Sequence, residues 1–264
     1  MDNTVKEPLI HLSKREDMSF GKKWLVRIIA ILLSLIVCAG FIFIIIKMNP
    51  VEVYEGIVEG AVGTSRRFWV TARDALTLLC VAVAVTPAFK MRFWNIGAEG
   101  QILMGCVASA AMMIYAGNAL PTGLLLVLMF VCSFIAGGIW GIIPAFFKAR
   151  WNTNETLFTL MLNYVAMQVV TFCIVYWENP AGSNSVGIIN APTRAGWLPQ
   201  LFGLDYGWNL AIVLLLTVLM FIYMKRTKHG YEIAVVGESE NTARYAGINV
   251  GKVIVRTVGI SGGI

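Results

Sequence analysis

The stretch WLVRIIAILLSLIVCAGFIFIII, Trp24 to Ile46, holds twenty-three residues and one charge, Arg27. A bilayer core about 30 Å thick is crossed by about 20 apolar residues at about 1.5 Å of helix rise each. This run is therefore long enough to span. It is too long for the apolar core of a secretion signal, and no small-x-small cleavage site follows it. Val37 stands where a lipoprotein box beginning at Leu35 would want a small residue before Cys38. The run reads as a retained helix.

Working outward, six more apolar stretches follow at about 70–89, 97–117, 121–147, 157–177, 209–224 and 253–264. They explain the composition, which is 58% hydrophobic and 14% charged over 264 residues. A soluble domain is nearer 45–50% apolar and about 25% charged. The expected fold class is all-α, a polytopic transmembrane helix bundle with about six full spans. The seventh stretch, Val253–Ile264, is too short to cross fully, and the chain is expected to stop within it.

Basic residues sit at the ends of the apolar runs. With the N-terminus inside, the inner stretches hold Lys6, Lys14, Arg15, Lys22, Lys23, Lys90, Arg92, Lys148, Arg150, Lys225, Arg226, Lys228, Arg244 and Lys252, while the outer ones hold Lys47, Arg66, Arg67 and Arg194. That asymmetry follows the positive-inside rule and predicts a cytoplasmic tail at 1–23 ahead of a transmembrane domain at 24–264. It also accounts for the net charge of +6. Nucleic-acid binding would want the same charges clustered on one folded face, so no nucleic-acid partner is expected. Cys38, Cys80, Cys106, Cys132 and Cys173 all lie inside apolar runs, and His11 and His229 are far from them. Neither a disulfide framework nor a metal site is implied; these are small buried hydrophobes.

Two outer loops are expected, at 47–69 and 178–208. In the first, Asn49 can cap a helix that Pro50 begins, with Val51, Tyr54, Val58 and Ala61 at helical spacing. In the second, Pro180, Pro192 and Pro199 alternate with glycines, and Trp177, Trp197 and Trp208 are placed for the headgroup region. Gly137, Gly138 and Gly141 would let the helix at 121–147 approach a neighbour closely.

Polar chemistry concentrates in two places. Asn95-Ile-Gly97-Ala-Glu99-Gly100-Gln101 joins two apolar runs. Either Asn95 or Gly97 caps the following helix with Glu99 favouring its dipole, or the segment is a broken-helix element lining a pathway. The second place is the inner loop 225–252, the expected coupling loop. Ser239 is a good N-cap and Gly247 a good C-terminal stop, framing a two-turn helix too short to stand alone in water. Ala243 and Ala246 make one face small, and Arg244 and Tyr245 supply anchors of the kind enriched at interfaces. Either this small face fits a cleft of another subunit, or the segment is a plain cytoplasmic linker. Gly247-Ile-Asn-Val-Gly-Lys-Val253 only imitates a phosphate loop, since its glycines are one residue too close and Val253 stands where a hydroxyl must reach magnesium. Arg73 and Asp74 are adjacent and are not expected to face each other. Asn163 and Gln168 are intramembrane amides, expected to form interhelical hydrogen bonds more often than to line a passage.

At these residues a resemblance appears. Asn95-Ile-Gly-Ala-Glu-Gly-Gln101, Asn154-Glu-Thr-Leu-Phe-Thr-Leu-Met-Leu-Asn163-Tyr164 and Val236-Gly237-Glu-Ser239-Glu-Asn241-Thr-Ala243-Arg244-Tyr245-Ala246-Gly247-Ile248 resemble, in order, three stretches of permease subunits of bacterial ABC importers. The class is the branched-chain amino-acid/ribose one, in its nucleoside and simple-sugar branch. The resemblance implies a multi-pass cell-membrane subunit that binds no cofactor itself. ATP and magnesium would belong to a separate ATP-binding subunit docked on Gly237, Ser239, Asn241, Ala243, Arg244, Tyr245, Ala246 and Gly247. A second permease subunit and an extracellular substrate-binding protein complete the implied set. Asn95, Gly97, Glu99, Gly100, Gln101 and Asn163 would belong to the pathway, and further helices would follow Val253. The alternative is a membrane protein that does not use ATP, either a secondary transporter or a structural subunit; a carrier should hold ionisable groups deep in its helices, whereas Asp74 and Glu99 lie near segment ends.

Overall fold

The computed structural model describes residues 19–201, 203 and 206–264; Lys6, His11, Lys14 and Arg15 lie outside them. All regular structure among the described residues is helical. The helices are α1 (Phe20–Phe41, continued by a π-helical turn, Ile42–Ile46), α2 (Pro50–Val62), α3 (Ser65–Lys90), α4 (Ala98–Ala116), α5 (Thr122–Trp151), α6 (Glu155–Tyr176), α7 (Gly207–Arg226), α8 (Lys228–Glu238), α9 (Glu240–Tyr245) and α10 (Val250–Gly263). Six of them, α1 with its π turn and α3 to α7, are long and apolar enough to cross a membrane. Two compact units separate at Phe68 and Trp69.

In the first unit, Asn49 caps α2 by accepting from the Val51 amide at 3.1 Å, and Pro50 opens the helix. The Tyr54 hydroxyl donates to the Leu35 carbonyl of α1 at 2.6 Å. Val53, Tyr54 and Ala61 are the half-buried residues of α2 beyond its first, whereas Val51 and Val58 of the expected apolar stripe are exposed.

In the second unit α5 packs on both α4 and α10, and these are the most extensive helix contacts of the chain. The α5–α10 contact is built of glycine. A Cβ on Gly137 would strike the Gly262 carbonyl oxygen. One on Gly141 would lie 2.9 Å from the Val258 carbonyl, and one on Gly262 2.8 Å from the Gly137 carbonyl. Backbone meets backbone, so the attraction comes from close van der Waals packing, which in lipid replaces the hydrophobic drive that water would supply. The segment Val253–Ile264 thus lies largely in a helix buried against α5, with Val258 and Thr257 fully enclosed.

One end of this unit is closed by a compact apolar core. Ala88 of α3, Met91 and Phe93 of the turn that follows, Ala145 of α5, Ile233 and Val236 of α8, Ala243 of α9 and Val250, Val253, Ile254 and Val258 of α10 share it. The expected coupling loop therefore contains a helix that sequence reading left out, α8, capped by Thr227, whose hydroxyl accepts from the Gly230 amide at 3.1 Å. At the opposite end, the irregular stretch after α6 is tied down by side chains. Asn190 donates to the Met113 carbonyl at 2.8 Å, and the Trp177 indole donates to the Tyr115 hydroxyl at 2.8 Å.

The glycine contact makes a direct prediction. Gly137→Val or Gly141→Val forces backbone apart and should destabilise the detergent-solubilised protein by about 1–3 kcal/mol. Thermal melts should fall accordingly, while Gly60→Ala, with open space around it, should not lower them.

Candidate functional site

The signature segment is a polar knot between three helices. α3 ends at Lys90, and the chain turns through Arg92 at φ 61° before Gly97 starts α4. The Asn95 carboxamide oxygen accepts from the Gly97 amide at 3.0 Å, and its nitrogen donates to the Gln101 side-chain oxygen at 3.1 Å. Asn95 and Gln101 are both buried. From α6, Asn163 accepts from the Gly100 amide at 2.9 Å and donates to the Ile96 carbonyl at 3.0 Å. One side chain thus satisfies two backbone groups that a helix start and an irregular turn leave open. Both cap candidates take part: Gly97 occupies the N-cap position and Asn95 supplies the side-chain bond.

The glycines of the segment make room for α6. A Cβ on Gly97 would lie 2.9 Å from Thr159 Cβ, and one on Gly100 2.9 Å from Asn163 Oδ1 and 3.0 Å from Trp140 Nε1. Glu99 points elsewhere and is exposed in the first turn of α4. Asn95, Gly97, Gly100, Gln101 and Asn163 are therefore brought together, and Glu99 is not among them.

Gln101 has a second neighbourhood. It lines a cavity of about 470 Å³ between α3, α4, α5 and α10, together with Thr77, Gly105, Ser109, Ser133 and Ser261. Ser109 and Ser133 are hydrogen-bonded to each other across α4 and α5, whereas Ser261 Oγ is buried without a partner. Sequence reading missed the three serines. A signal existed in the recurrence of Gln101, Gly105 and Ser109 every four residues, which puts them on one helix face.

The second site is α9. Ser239 Oγ accepts from the Thr242 amide at 3.3 Å, and Gly247 takes φ +76° after the helix, the left-handed backbone that glycine adopts freely. Asn249 then caps α10 by accepting from the Lys252 amide at 3.1 Å. The small face, however, is divided. Ala243 is 0% exposed and belongs to the chain's own core, while Ala246 is exposed. Gly237 is also internal, since a Cβ there would strike the Lys90 carbonyl. Ala243 and Gly237 therefore cannot present themselves to another subunit; they seat α8 and α9 on the ends of α3 and α10. The outward set is Asn241, Arg244, Tyr245, Ala246 and Gly247, with Ser239 half-buried at the cap. Tyr245 is 92% exposed, and Arg244 stands 3.7 Å from Glu240.

Arg73 and Asp74 do meet, contrary to expectation. The Arg73 guanidinium folds back to give Asp74 Oδ1 two hydrogen bonds, at 3.0 and 2.8 Å, and lies 5.5 Å over the Tyr206 ring. The length of the arginine side chain overcomes the divergence of neighbouring helix positions.

Replacing Asn163 with Leu removes both bonds to buried backbone, at about 1–3 kcal/mol for each group orphaned. Thermal unfolding in detergent should show the loss, and Glu99→Gln should stay within about 0.5 kcal/mol of the parent.

Residues 69–264 match the family described as branched-chain amino acid transport system / permease component. A guanosine ABC transporter permease protein of Bacillus subtilis (strain 168) is 30% identical over 245 residues, 90% of this chain and 68% of the relative. A nucleoside ABC transporter permease protein of Lactococcus lactis subsp. cremoris (strain MG1363) is 28% identical over 253 residues, covering 92% of this chain and 68% of its own. A glucose ABC transporter permease protein of Haloferax volcanii is 30% identical over 233 residues, with 82% and 59% covered. No solved structure matches. With six helices fit to span a bilayer and this match over most of its length, the chain is a multi-pass cell-membrane protein and belongs to the family of branched-chain amino acid transport system permease components.

Proposed function

We propose that this chain forms part of the membrane pathway of an ABC importer for a nucleoside or a simple sugar, and that a separate ATP-binding subunit docks on α9. The observation that carries the reading is the build of α9. A six-residue helix would not hold its shape alone. Here it is anchored from beneath by Ala243 and offers Arg244 and Tyr245 outward, residue types that dominate binding energy at interfaces. ATP and magnesium are assigned to the partner. The positive-inside distribution of Lys and Arg supports a cytoplasmic α9, the side on which an ATP-binding subunit would dock. A second permease subunit and an extracellular binding protein complete the assembly.

The cavity beside Gln101 is assigned to the pathway. Its walls mix apolar side chains with amide and hydroxyl groups, the mixture suited to a ligand with a hydroxylated sugar ring. The polar knot of Asn95, Gly97, Gly100 and Asn163 holds the start of α4 in place, so that Gln101 faces that cavity. The nucleoside reading draws on the guanosine and nucleoside relatives, and the sugar reading on the glucose relative.

The complete transporter, reconstituted in vesicles with its binding protein and ATPase, should accumulate guanosine or glucose in an ATP-dependent manner. Failure with both would reject the substrate class. In a background without other cysteines, a cysteine at position 245 should react with an impermeant maleimide only from the cytoplasmic side. Tyr245→Ala should weaken capture of the ATPase subunit at least tenfold with the permease still inserted and folded. Undiminished capture in Tyr245→Ala and Arg244→Ala would remove α9 from the docking surface.

A further inference from the structure

Beside the apolar core, α7, α8 and α10 meet at one imidazole. His229, in the first turn of α8, is buried. Its Nδ1 is hydrogen-bonded to the Tyr223 hydroxyl of α7. Its Nε2 lies 2.9 Å from Arg256 Nε and 3.3 Å from Thr257 Oγ1, both of α10. Arg256 continues to Glu232 of α8 at 2.7 Å. A guanidinium only donates, so Nε2 must carry its lone pair, and the ring proton sits on Nδ1, given to the Tyr223 oxygen. Only the neutral imidazole, in this tautomer, can make both contacts.

Position gives this network its significance. α8 runs directly into α9 through Ser239, the shared cap residue. α10 carries Ser261 and Gly262 into the cavity that Gln101 lines. α9 and α10 are joined along the chain by the short link through Gly247 to Asn249, and in space by the apolar core that Ala243 shares with Val250, Val253 and Ile254. The polar joint between α8 and α10 is Arg256 held by two groups of α8, the His229 ring and the Glu232 carboxylate.

We propose that neutral His229, through Arg256, is the positioning residue that makes α8–α9 and α10 move as one body, so that a displacement of α9 is delivered to the cavity wall. The inference rests on the reading of α9 as the docking helix. The charged and titratable groups around the ring are Tyr223 from α7, Glu232 from α8 itself and Arg256 from α10; those of α9, Glu240 and Arg244, lie beside each other. Burial first, and the Arg256 charge second, hold His229 below its ordinary pKa, with Glu232 opposing. A lowered pKa means that the joint is intact above that value and is lost as pH falls through it. A second proton would point Nε2–H at the guanidinium, turning a hydrogen bond into a contact between two cations.

The test uses the complete transporter in vesicles, with guanosine or glucose as the probe, whichever the parent accumulates. The readout is substrate moved per ATP hydrolysed. His229→Ala should keep ATPase capture but lower this ratio about tenfold, and His229→Gln, which can both accept and donate, should restore part of it. In the parent, the ratio should hold through about pH 6.5, where an ordinary imidazole titrates, and fall below it. Spin labels at Tyr231 and Lys252, in a background without other cysteines, provide a reading that needs no substrate. Their separation should stay fixed on ATP binding in the parent and change in His229→Ala. An unchanged ratio in His229→Ala, or a label distance that changes with ATP in the parent, overturns the proposal. If His229→Ala does not assemble, the parent's pH profile and label distance decide in the same way. Failure of the docking reading is separate, since it appears as undiminished ATPase capture in Tyr245→Ala and Arg244→Ala.

Discussion

Backbone packed on backbone, where Gly137 and Gly141 of α5 meet Val258 and Gly262 of α10, is the contact from which the second unit follows. In lipid the apolar surface of a helix gains little by being covered, so helices associate where they can come closest. Glycine at three positions of α5 removes the side chains that would hold α10 away. With α10 seated, Val253, Ile254 and Val258 reach the same core as Ala88, Ala145 and Ile233, and the end of the bundle closes. α4 packs on α5 beside α10, with Gln101 reaching Gly137, Gly141 and Gly262, and the cavity of Gln101 lies between α3, α4, α5 and α10.

The same absence of water governs the polar knot. A turn between two spanning helices leaves amides and carbonyls that water would satisfy at an exposed surface. Here Asn163 does so from within with both ends of its carboxamide, and Asn95 with its oxygen, its nitrogen going to the Gln101 side chain. An amide side chain suits this task because it donates and accepts at once without carrying charge. A carboxylate in either place would lose the donor and add a desolvation cost. That is why the segment's one carboxylate, Glu99, lies outside the knot.

Support and exposure are separate in the segment that forms α8 and α9. Gly237 and Ala243 are small because they are squeezed against Lys90 and the core, whereas Arg244 and Tyr245 are exposed and have room to be large. Sequence alone gives both kinds of residue in one short motif and does not say which face inward. A six-residue helix has too few turns for its periodicity to separate them.

The sequence by itself determined the class of molecule and the ends of its elements. Apolar runs long enough for a bilayer marked six spanning helices, because that length is imposed by lipid and not by neighbours. Asn49, Ser239 and Gly247 marked helix ends, because capping is settled within a few residues of chain. The glycine-rich stretch of α5 announced a close helix contact. Only the tertiary structure decided that α10 fills it, that α8 exists as a packed helix, and that Ala243 looks inward. It alone brought His229 to Arg256, twenty-seven residues away, and Gln101 to Ser261 around one cavity. These are meetings between distant segments, fixed by which surfaces fit, and no local pattern of residues encodes them.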